Sequence, residues 1–259
     1  MNPTIEVIQN RKSIRAYLDK PVPETERNTI IDAALRSPTA GNMMLYSIIE
    51  VKNQDTKDKL VRTCDNQPFI AKAPFVLLFL ADYQRWYDYF IASGVPRICG
   101  EENIPMRKPE EGDLFLSCCD ALIAAQTAVL AAESLGIGSC YIGDIMENYG
   151  EHKVMFKLPQ YVFPIALVCF GYPTKQQKNR RLTERFNRDY VVFQDQYRHL
   201  TPEDFDAMYE SRHAHLFRGR DTIKGAENVG QLMYRRKFAS EFSLEMSRSV
   251  RAILKSWAE

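Results

Sequence analysis

DLFLSCCDALIAAQTAVLAAESLGIGSCYIGD, residues 113–144, decides the fold. Asp113 to Leu135 predicts one long helix, apolar on nearly every face, with Asp113 as its cap and Gly136 as its stop. A helix without a polar side belongs at the centre of a core or at a subunit interface. Gly138 to Ile142 then predicts a strand, and Gly143-Asp144 a turn.

Working outward, the run Phe75 to Ala81 follows Pro74 and is apolar throughout, which predicts a buried strand. Tyr46 to Lys52 and Tyr161 to Phe170 predict two more. Asn2 and Pro3 open a helix that runs to Asn10. A second runs from Glu24 to Ser37, where Pro38 stops it. Asp55 to Cys64 predicts a short helix capped by Asp55. Thr201-Pro202-Glu203-Asp204 reads as a helix start: cap, N1 proline, then two acids at the positive end. Ala226 to Trp257 predicts helix. Residues 84–112, with Pro96, Pro105 and Pro109, read as a partly helical excursion from the core near the pocket, and Lys175 to Arg188 as a basic loop. Helices first, then strands mixed with long helices, point to an α+β layer sandwich rather than a regular strand–helix alternation. The dinucleotide fingerprint G-x-G-x-x-G is absent. The expected organisation is a single domain over 1–259, with a C-terminal helical extension over 183–259.

The chain has 259 residues, 45% hydrophobic and 26% charged, with a formal net charge of +1. That composition supports a sizeable core, and no global field favours nucleic acid or membrane. Any anion site is then a local cluster of basic residues. The six cysteines form no C-x-x-C pair and read as buried free thiols of a reducing cytosol. The N-terminus has no basic-then-apolar leader, and the longest apolar stretches, Phe75 to Ala81 and Tyr161 to Phe170, read as too short to span a bilayer. The expectation is a cytoplasmic protein with no nucleic-acid or membrane partner.

Four segments carry candidate chemistry. Arg11-Lys12-Ser13-Ile14-Arg15 puts three cations and a hydroxyl in five residues, able to bind a phosphate or simply to form a solvated basic turn. Ser37-Pro38-Thr39-Ala40-Gly41-Asn42 offers small residues that let backbone approach a flat ring; it is equally an ordinary helix stop. Tyr141-Ile142-Gly143-Asp144 can bring a main-chain N–H to a ligand edge. Gly171-Tyr172-Pro173, followed by Lys175, Lys178, Arg180 and Arg181, sets a basic loop directly after a buried strand. It reads either as a phosphate clamp or as a solvated charge run.

Taken in order, these segments resemble the flavin (FMN)-dependent nitroreductase family across roughly residues 5–185. The resembling features are Basic-x-Ser-Ile-Arg, the small Pro-Thr stretch, Ala131-Ala132-Glu133-Ser134-Leu135-Gly136-Ile137-Gly138 leading to Tyr141-Ile142-Gly143-Asp144, and the strand ending Gly171-Tyr172-Pro173. The tail Asn228 to Phe238 is similar to the C-terminal helix of some bacterial members. The resemblance implies a three-layer sandwich, a mainly antiparallel central sheet wrapped by helices, in an intertwined homodimer. It implies FMN as cofactor, NADPH or NADH as electron donor, and a small electron-poor acceptor such as a nitroaromatic or quinone, served by a ping-pong cycle. Arg11, Lys12 and Ser13 would lie near the phosphate and ribityl chain, and Arg15 at the pyrimidine side. Pro38, Thr39, Ala40 and Asn42, from the partner subunit, would border the ring system. Gln67 would contact the cofactor. Main-chain N–H groups of Ile142 and Gly143, between Tyr141 and Asp144, would face flavin N5. Lys178, Arg180 and Arg181 would complete the phosphate clamp.

Two positions depart from the family: Met44 stands where a Gln is common, and Asp144 where a second Gly is common. An inward Asp144 carboxylate would tune the redox chemistry; a solvent-facing one would not. Trp86, Tyr87, Tyr89 and Phe90 could wall the pocket or serve packing. Arg212, Arg218 and Arg220 could meet the extra phosphate of NADPH. No protein nucleophile, general base or metal site is expected. His213-x-His215 reads as exposed helix residues. Rival readings are a flavin, ene or azo reductase on the same fold, a dehalogenase or flavin-degrading relative, and a flavin-binding protein without turnover.

Overall fold

The computed structural model describes residues 2–258. In chain order the elements up to the long central helix are α1 (Pro3–Asn10), α2 (Glu24–Leu35), β1 (Tyr46–Glu50), α3 (Gln54–Thr63), α4 (Phe69–Lys72), β2 (Phe75–Asp82), α5 (Gln84–Ala92), α6 (Val95–Glu101) and α7 (Glu111–Ser134). They are followed by β3 (Gly138–Ile142), α8 (Tyr149–Met155), β4 (Val162–Gly171), α9 (Lys175–Lys178), α10 (Pro202–Phe217), α11 (Val229–Met233) and α12 (Glu241–Ala258).

The strands form an antiparallel sheet in the order β1-β2-β4-β3. Strand side chains alternate between faces, so a strand with no polar residue must be covered on both. In β2, Phe75, Leu77 and Phe79 face α2 and α7, while Val76, Leu78 and Leu80 face the layer of α3 and α4. This is the expected three-layer α+β sandwich. Pro164 interrupts β4 without harm because a bulge falls there: the register slips between Phe79 and Leu80, opposite Ala166 and Pro164. A bulge removes the ladder bond that proline cannot donate.

Helix α7 meets the sheet through Ala121, Ala124, Ala125, Ala128 and Ala132, all fully buried. Small side chains let the helix axis come close to the strands. Its outer side exposes Phe115, Leu116, Cys119, Leu122 and Ile123, with Phe115 68% exposed. The expectation that no apolar stretch is long enough to span a bilayer is corrected by α7, which could cross one by length and composition; in the structure its alanine side lies on the sheet. The cap also differs from expectation. Glu110 is the N-cap and Asp113 the third residue of a capping box, so the helix starts two residues earlier. Likewise Asn53, not Asp55, caps α3.

Other boundaries are corrected as well. Residues 84–112, read as a partly helical excursion, do contain two helices, α5 and α6. A one-turn helix, α9, opens the basic loop after β4. The tail is not one helix: α11 runs into a π turn at Tyr234–Phe238 before α12 starts. Among the thiols Cys64, Cys140 and Cys169 are buried, whereas Cys119 is exposed and Cys99 and Cys118 are intermediate.

By contacts the chain divides into two compact units. One runs to Leu182 and takes in the residues from Glu245 onward; the other is Thr183–Leu244. The end of α12 therefore belongs to the first unit: Ile253 and Trp257 pack with Ala81, Leu114, Tyr149, Tyr161 and Phe163. The second unit holds α10, started by a Thr201–Asp204 capping box as the sequence predicts. Within it, Arg212 stacks on Phe186 at 3.8 Å and His213 on Phe217 at 4.3 Å. No group of His, Cys, Asp and Glu able to hold a metal occurs among the described residues.

Two glycines decide how the N-terminal segment joins the sheet. Gly138 and Gly171 are cross-strand partners. A Cβ on Gly138 would lie 2.4 Å from Ile14 Cγ1, and one on Gly171 would lie 2.7 Å from Tyr17 Cδ1. Their bareness lets residues 13–17 lie across the ends of β3 and β4, where Ile14 N–H donates to Ser139 O at 2.8 Å. Gly138→Ala is expected to cost about 1–3 kcal/mol through overpacking, and Gly138→Ala with Ile14→Ala to recover part of it. Urea unfolding of the single and double variants checks this; equal stability of wild type and Gly138→Ala would refute it.

Candidate functional site

The first basic stretch begins where α1 ends, at Arg11. An extended chain alternates its sides, so Ile14 turns inward, 3% exposed, while Arg15 faces solvent. The second stretch begins after Pro173, which bridges to Tyr17. The two stretches are thus carried to one edge by β3 and β4, although about 166 residues separate them. Lys12 Nζ donates to the carbonyls of Lys178 (2.9 Å) and Arg180 (2.7 Å). The Arg180 guanidinium donates back to Ser13 O. Gln177 Oε1 accepts weakly from Arg15 N–H at 3.5 Å. A cavity of about 510 Å³ opens here, lined by Asn10, Lys12, Glu133, Gly138, Tyr172 and Lys178 among others. Arg181 is exposed beside this knot.

Glu133, in the last turn of α7, is the acid in this basic setting. Burial pushes its carboxyl up to about 7, against the pull of Arg11 first and then of Ser139 and Lys12. Burial holds the Cys140 thiol above its ordinary value, against the pull of Arg15 first and then of Arg11, Ser13 and Arg180.

The loop 38–45 is built by a different acid. Asp120, on α7 and 2% exposed, accepts from Ala40 N–H at 3.0 Å and Leu45 N–H at 3.1 Å. Thr39 Oγ1 accepts from Met44 N–H at 3.1 Å. Gly41, Asn42 and Met44 all take positive φ, a conformation that surrounding contacts must hold. Arg85 supplies some of those contacts by donating to the carbonyls of Met44 and Tyr46, and Trp86 Nε1 donates to Met43 O at 2.6 Å. Trp86 therefore props this loop. Tyr87 packs on Tyr161 in the core, and Tyr89 stays 60% exposed. Pro38, Thr39, Ala40 and Asn42 make no hydrogen bond or ion pair with residues 11–15 or 178–181 among the described residues.

At the end of β3, Ile142 is buried and Gly143 exposed, with open space where a side chain would stand. Tyr141 hydroxyl donates to Gln126 Oε1 at 3.4 Å. Gln67 Nε2 donates to Asp144 Oδ2 at 2.8 Å and to Cys64 O at 3.0 Å. Asp144 is half-buried and turned toward Gln67 rather than free in solvent. Behind it lies Glu147, 4% exposed, whose Oε1 has no hydrogen-bond partner. Burial, then Asp144, Asp65 and Glu245, push its carboxyl up to about 8. Glu147 thus favours folding while protonated and opposes it once ionised. Stability from this group is complete below the ordinary carboxylate range and is lost as pH rises through about 8. Glu147→Gln is expected to flatten that loss, giving a Tm higher than wild type by about 3 °C or more at alkaline pH. Parallel Tm–pH curves for the two proteins would contradict it.

Asp120, Glu133, Glu147, Arg85 and Gln177 were not singled out from sequence. Two of them carried a signal, because a lone acid inside an apolar helix has to find partners.

This sheet, its covering helices and the joined basic stretches define a chain of the nitroreductase fold. The Nitroreductase family model matches residues 8–172, and the protein belongs to that family. It is 32% identical over 224 residues to the oxygen-insensitive NADPH nitroreductase of Salmonella typhimurium, covering 86% of each chain. It is 32% identical over 188 residues to an FMN reductase [NAD(P)H] of Bacillus subtilis, covering 71% of this chain and 72% of that one. Among solved structures it is similar to nitroreductase A from Vibrio parahaemolyticus, with a TM-score of 0.80, 25% identity, and 99% and 98% of the two chains covered.

Proposed function

We propose that this protein is an NAD(P)H-driven FMN oxidoreductase that reduces small electron-poor acceptors, nitroaromatics or quinones, as a cytoplasmic homodimer. The observation that carries the reading is the hydrogen-bonded junction of residues 11–15 with 177–181, beside a cavity lined by Lys12 and Lys178. The names of the relatives, an NADPH nitroreductase and an FMN reductase, support it. The residues fit FMN: the cluster of Arg11, Lys12, Ser13, Lys178, Arg180 and Arg181 suits a phosphate, and the space over Gly143 admits a flat group close to backbone. FMN, when bound, supplies a hydride acceptor at N5 and returns the electrons to the second substrate.

The chain's own residues bind and orient. Arg15, exposed, with its guanidinium 6.0 Å from the Phe69 ring, would place positive charge at the pyrimidine side. The N–H groups of Ile142 and Gly143 would face the reacting edge. Gln67, whose Nε2 donates to Asp144 and to Cys64 O, would present its amide oxygen there. Pro38, Thr39, Ala40 and Asn42 belong to the site across a dimer interface, which fits their lack of bonds to the basic stretches. The exposed stripe of Phe115, Leu116, Leu122 and Ile123 on α7 is the face we assign to that interface. We read the two compact units as parts of one functional domain, since the likeness to the Vibrio parahaemolyticus structure spans 99% of the chain.

The visible spectrum of the purified protein tests the cofactor: flavin absorption is expected, and a colourless protein that takes up no added FMN would overturn the reading. Anaerobic mixing with NADPH and with NADH tests turnover. Bleaching by either donor is expected; none by both would favour a flavin-binding protein without turnover. An acceptor screen with nitroaromatic, quinone and free flavin separates nitroreductase from flavin reductase.

A further inference from the structure

The Glu133 carboxyl is placed where a carboxylate is least welcome. It stands in the last turn of α7, at the negative end of the helix dipole. Its Oε1 is buried and has no hydrogen-bond partner. No ion pair within 4.0 Å involves it among the described residues. It lines the same cavity as Lys12 and Lys178.

The groups around it come from every neighbouring element. Asn10 and Arg11 come from the end of α1, and Lys12 from the segment that follows. Ser139 comes from β3, and its own Oγ is buried without a partner. Tyr172 comes from the end of β4, with its hydroxyl bound to Glu26, and Lys178 from α9. The nearby Cys140 thiol is held protonated by burial. Lys12 spends two donors on the carbonyls of Lys178 and Arg180, so the nearest ammonium is not committed to Glu133.

We infer that Glu133 is a positioning residue that couples phosphate capture to a proton: the cofactor's phosphate enters this cavity as the Glu133 carboxylate takes up one proton from solvent. This rests on reading residues 11–15 and 177–181 as the phosphate site. With its carboxyl balanced near neutrality by burial against Arg11, Glu133 offsets the cations while the cavity holds no anion. A phosphate dianion brought beside it repels the carboxylate and raises its proton affinity. No bond to carbon or phosphorus changes, and the only transfer is the proton. Binding is then weakened as pH rises through the carboxyl's free value, since more of the protein must be protonated before the anion docks.

The experiment is titration calorimetry of FMN and of riboflavin, which lacks the phosphate, in buffers of different ionisation enthalpy at about pH 8. There the FMN phosphate, with a second ionisation near 6, is already a dianion. Wild type is expected to take up about half a proton or more per FMN and none with riboflavin. Glu133→Gln is expected to take up none with either, and to bind FMN about fivefold more tightly than wild type at that pH while matching it near pH 6. Equal proton uptake by wild type and Glu133→Gln, or none by wild type with FMN, overturns the proposal and leaves the phosphate site standing. Binding of neither flavin by wild type overturns both. Should Glu133→Gln not fold, wild type alone decides. FMN affinity must fall above about pH 7 while riboflavin affinity stays level, and parallel pH profiles refute the coupling.

Discussion

Asp120→Ala is expected to be the most damaging single substitution near the site, lowering stability by about 3 kcal/mol and Tm by about 6–12 °C. Asp120 is 2% exposed and bonds two main-chain N–H groups, those of Ala40 and Leu45. Removing it strands both donors away from water, at about 1–3 kcal/mol each. The loop it holds is already strained, with Asn42 and Met44 at φ of 57° and 52°. Arg85 and Trp86 grip the carbonyl side of that loop, but neither can replace an acceptor. Asp120→Asn keeps one acceptor oxygen and should fall between the two. Thermal unfolding of the three proteins measures this, and a Tm for Asp120→Ala within a degree or so of wild type would show that the loop holds itself.

Much of the fold could be read from residue pattern because its strongest signals are local. The apolar run of β2 and the mostly apolar α7 leave little choice of element or layer. Gly136, at φ 74°, ends α7 as its sequence implies. Where reading failed, a competing local cue won. Pro96 does not break the 84–112 excursion, because it sits in the first turn of α6, where no N–H is needed. Nothing in Tyr234 to Phe238, free of Gly and Pro, announces the π turn that splits the tail. Asp113 looked like a cap because it precedes the apolar run, but Glu110 and Asp113 share that task.

The site was less legible for a physical reason. Its assembly depends on contacts between residues more than 160 positions apart, which no periodicity encodes. The resemblance, not the pattern, proposed that Arg11 and Arg180 belong together. The pairing Gly138↔Gly171 supplies the mechanism, since two bare backbones let the N-terminal segment cross the strand ends. The acids Asp120 and Glu133 stood in plain view within an apolar helix. An anion site announces itself in sequence by its cations, whereas the carboxyls that balance and hold them look like ordinary helix residues until the fold buries them.

Lys12→Met is expected to weaken FMN binding about 100-fold while reducing riboflavin binding far less. An ammonium has three N–H donors. Two go to the carbonyls of Lys178 and Arg180, which fastens the second basic stretch to the first, and the third is left for the cavity that Lys12 lines. Methionine keeps the length of the stem and its packing but can make none of these bonds. Each charge-assisted bond is worth about 1.5–3 kcal/mol, so loss of the phosphate contact together with the loosened clamp accounts for a factor of that size. Lys12→Arg keeps the charge and tests geometry: its donors lie in one plane on a longer stem instead of tetrahedrally about one nitrogen, so it should recover only part of the affinity. Fluorescence titration of the three apoproteins with each flavin measures the six constants. If Lys12→Met lowers FMN and riboflavin affinity by the same factor, Lys12 only braces the loop and the phosphate must be held elsewhere.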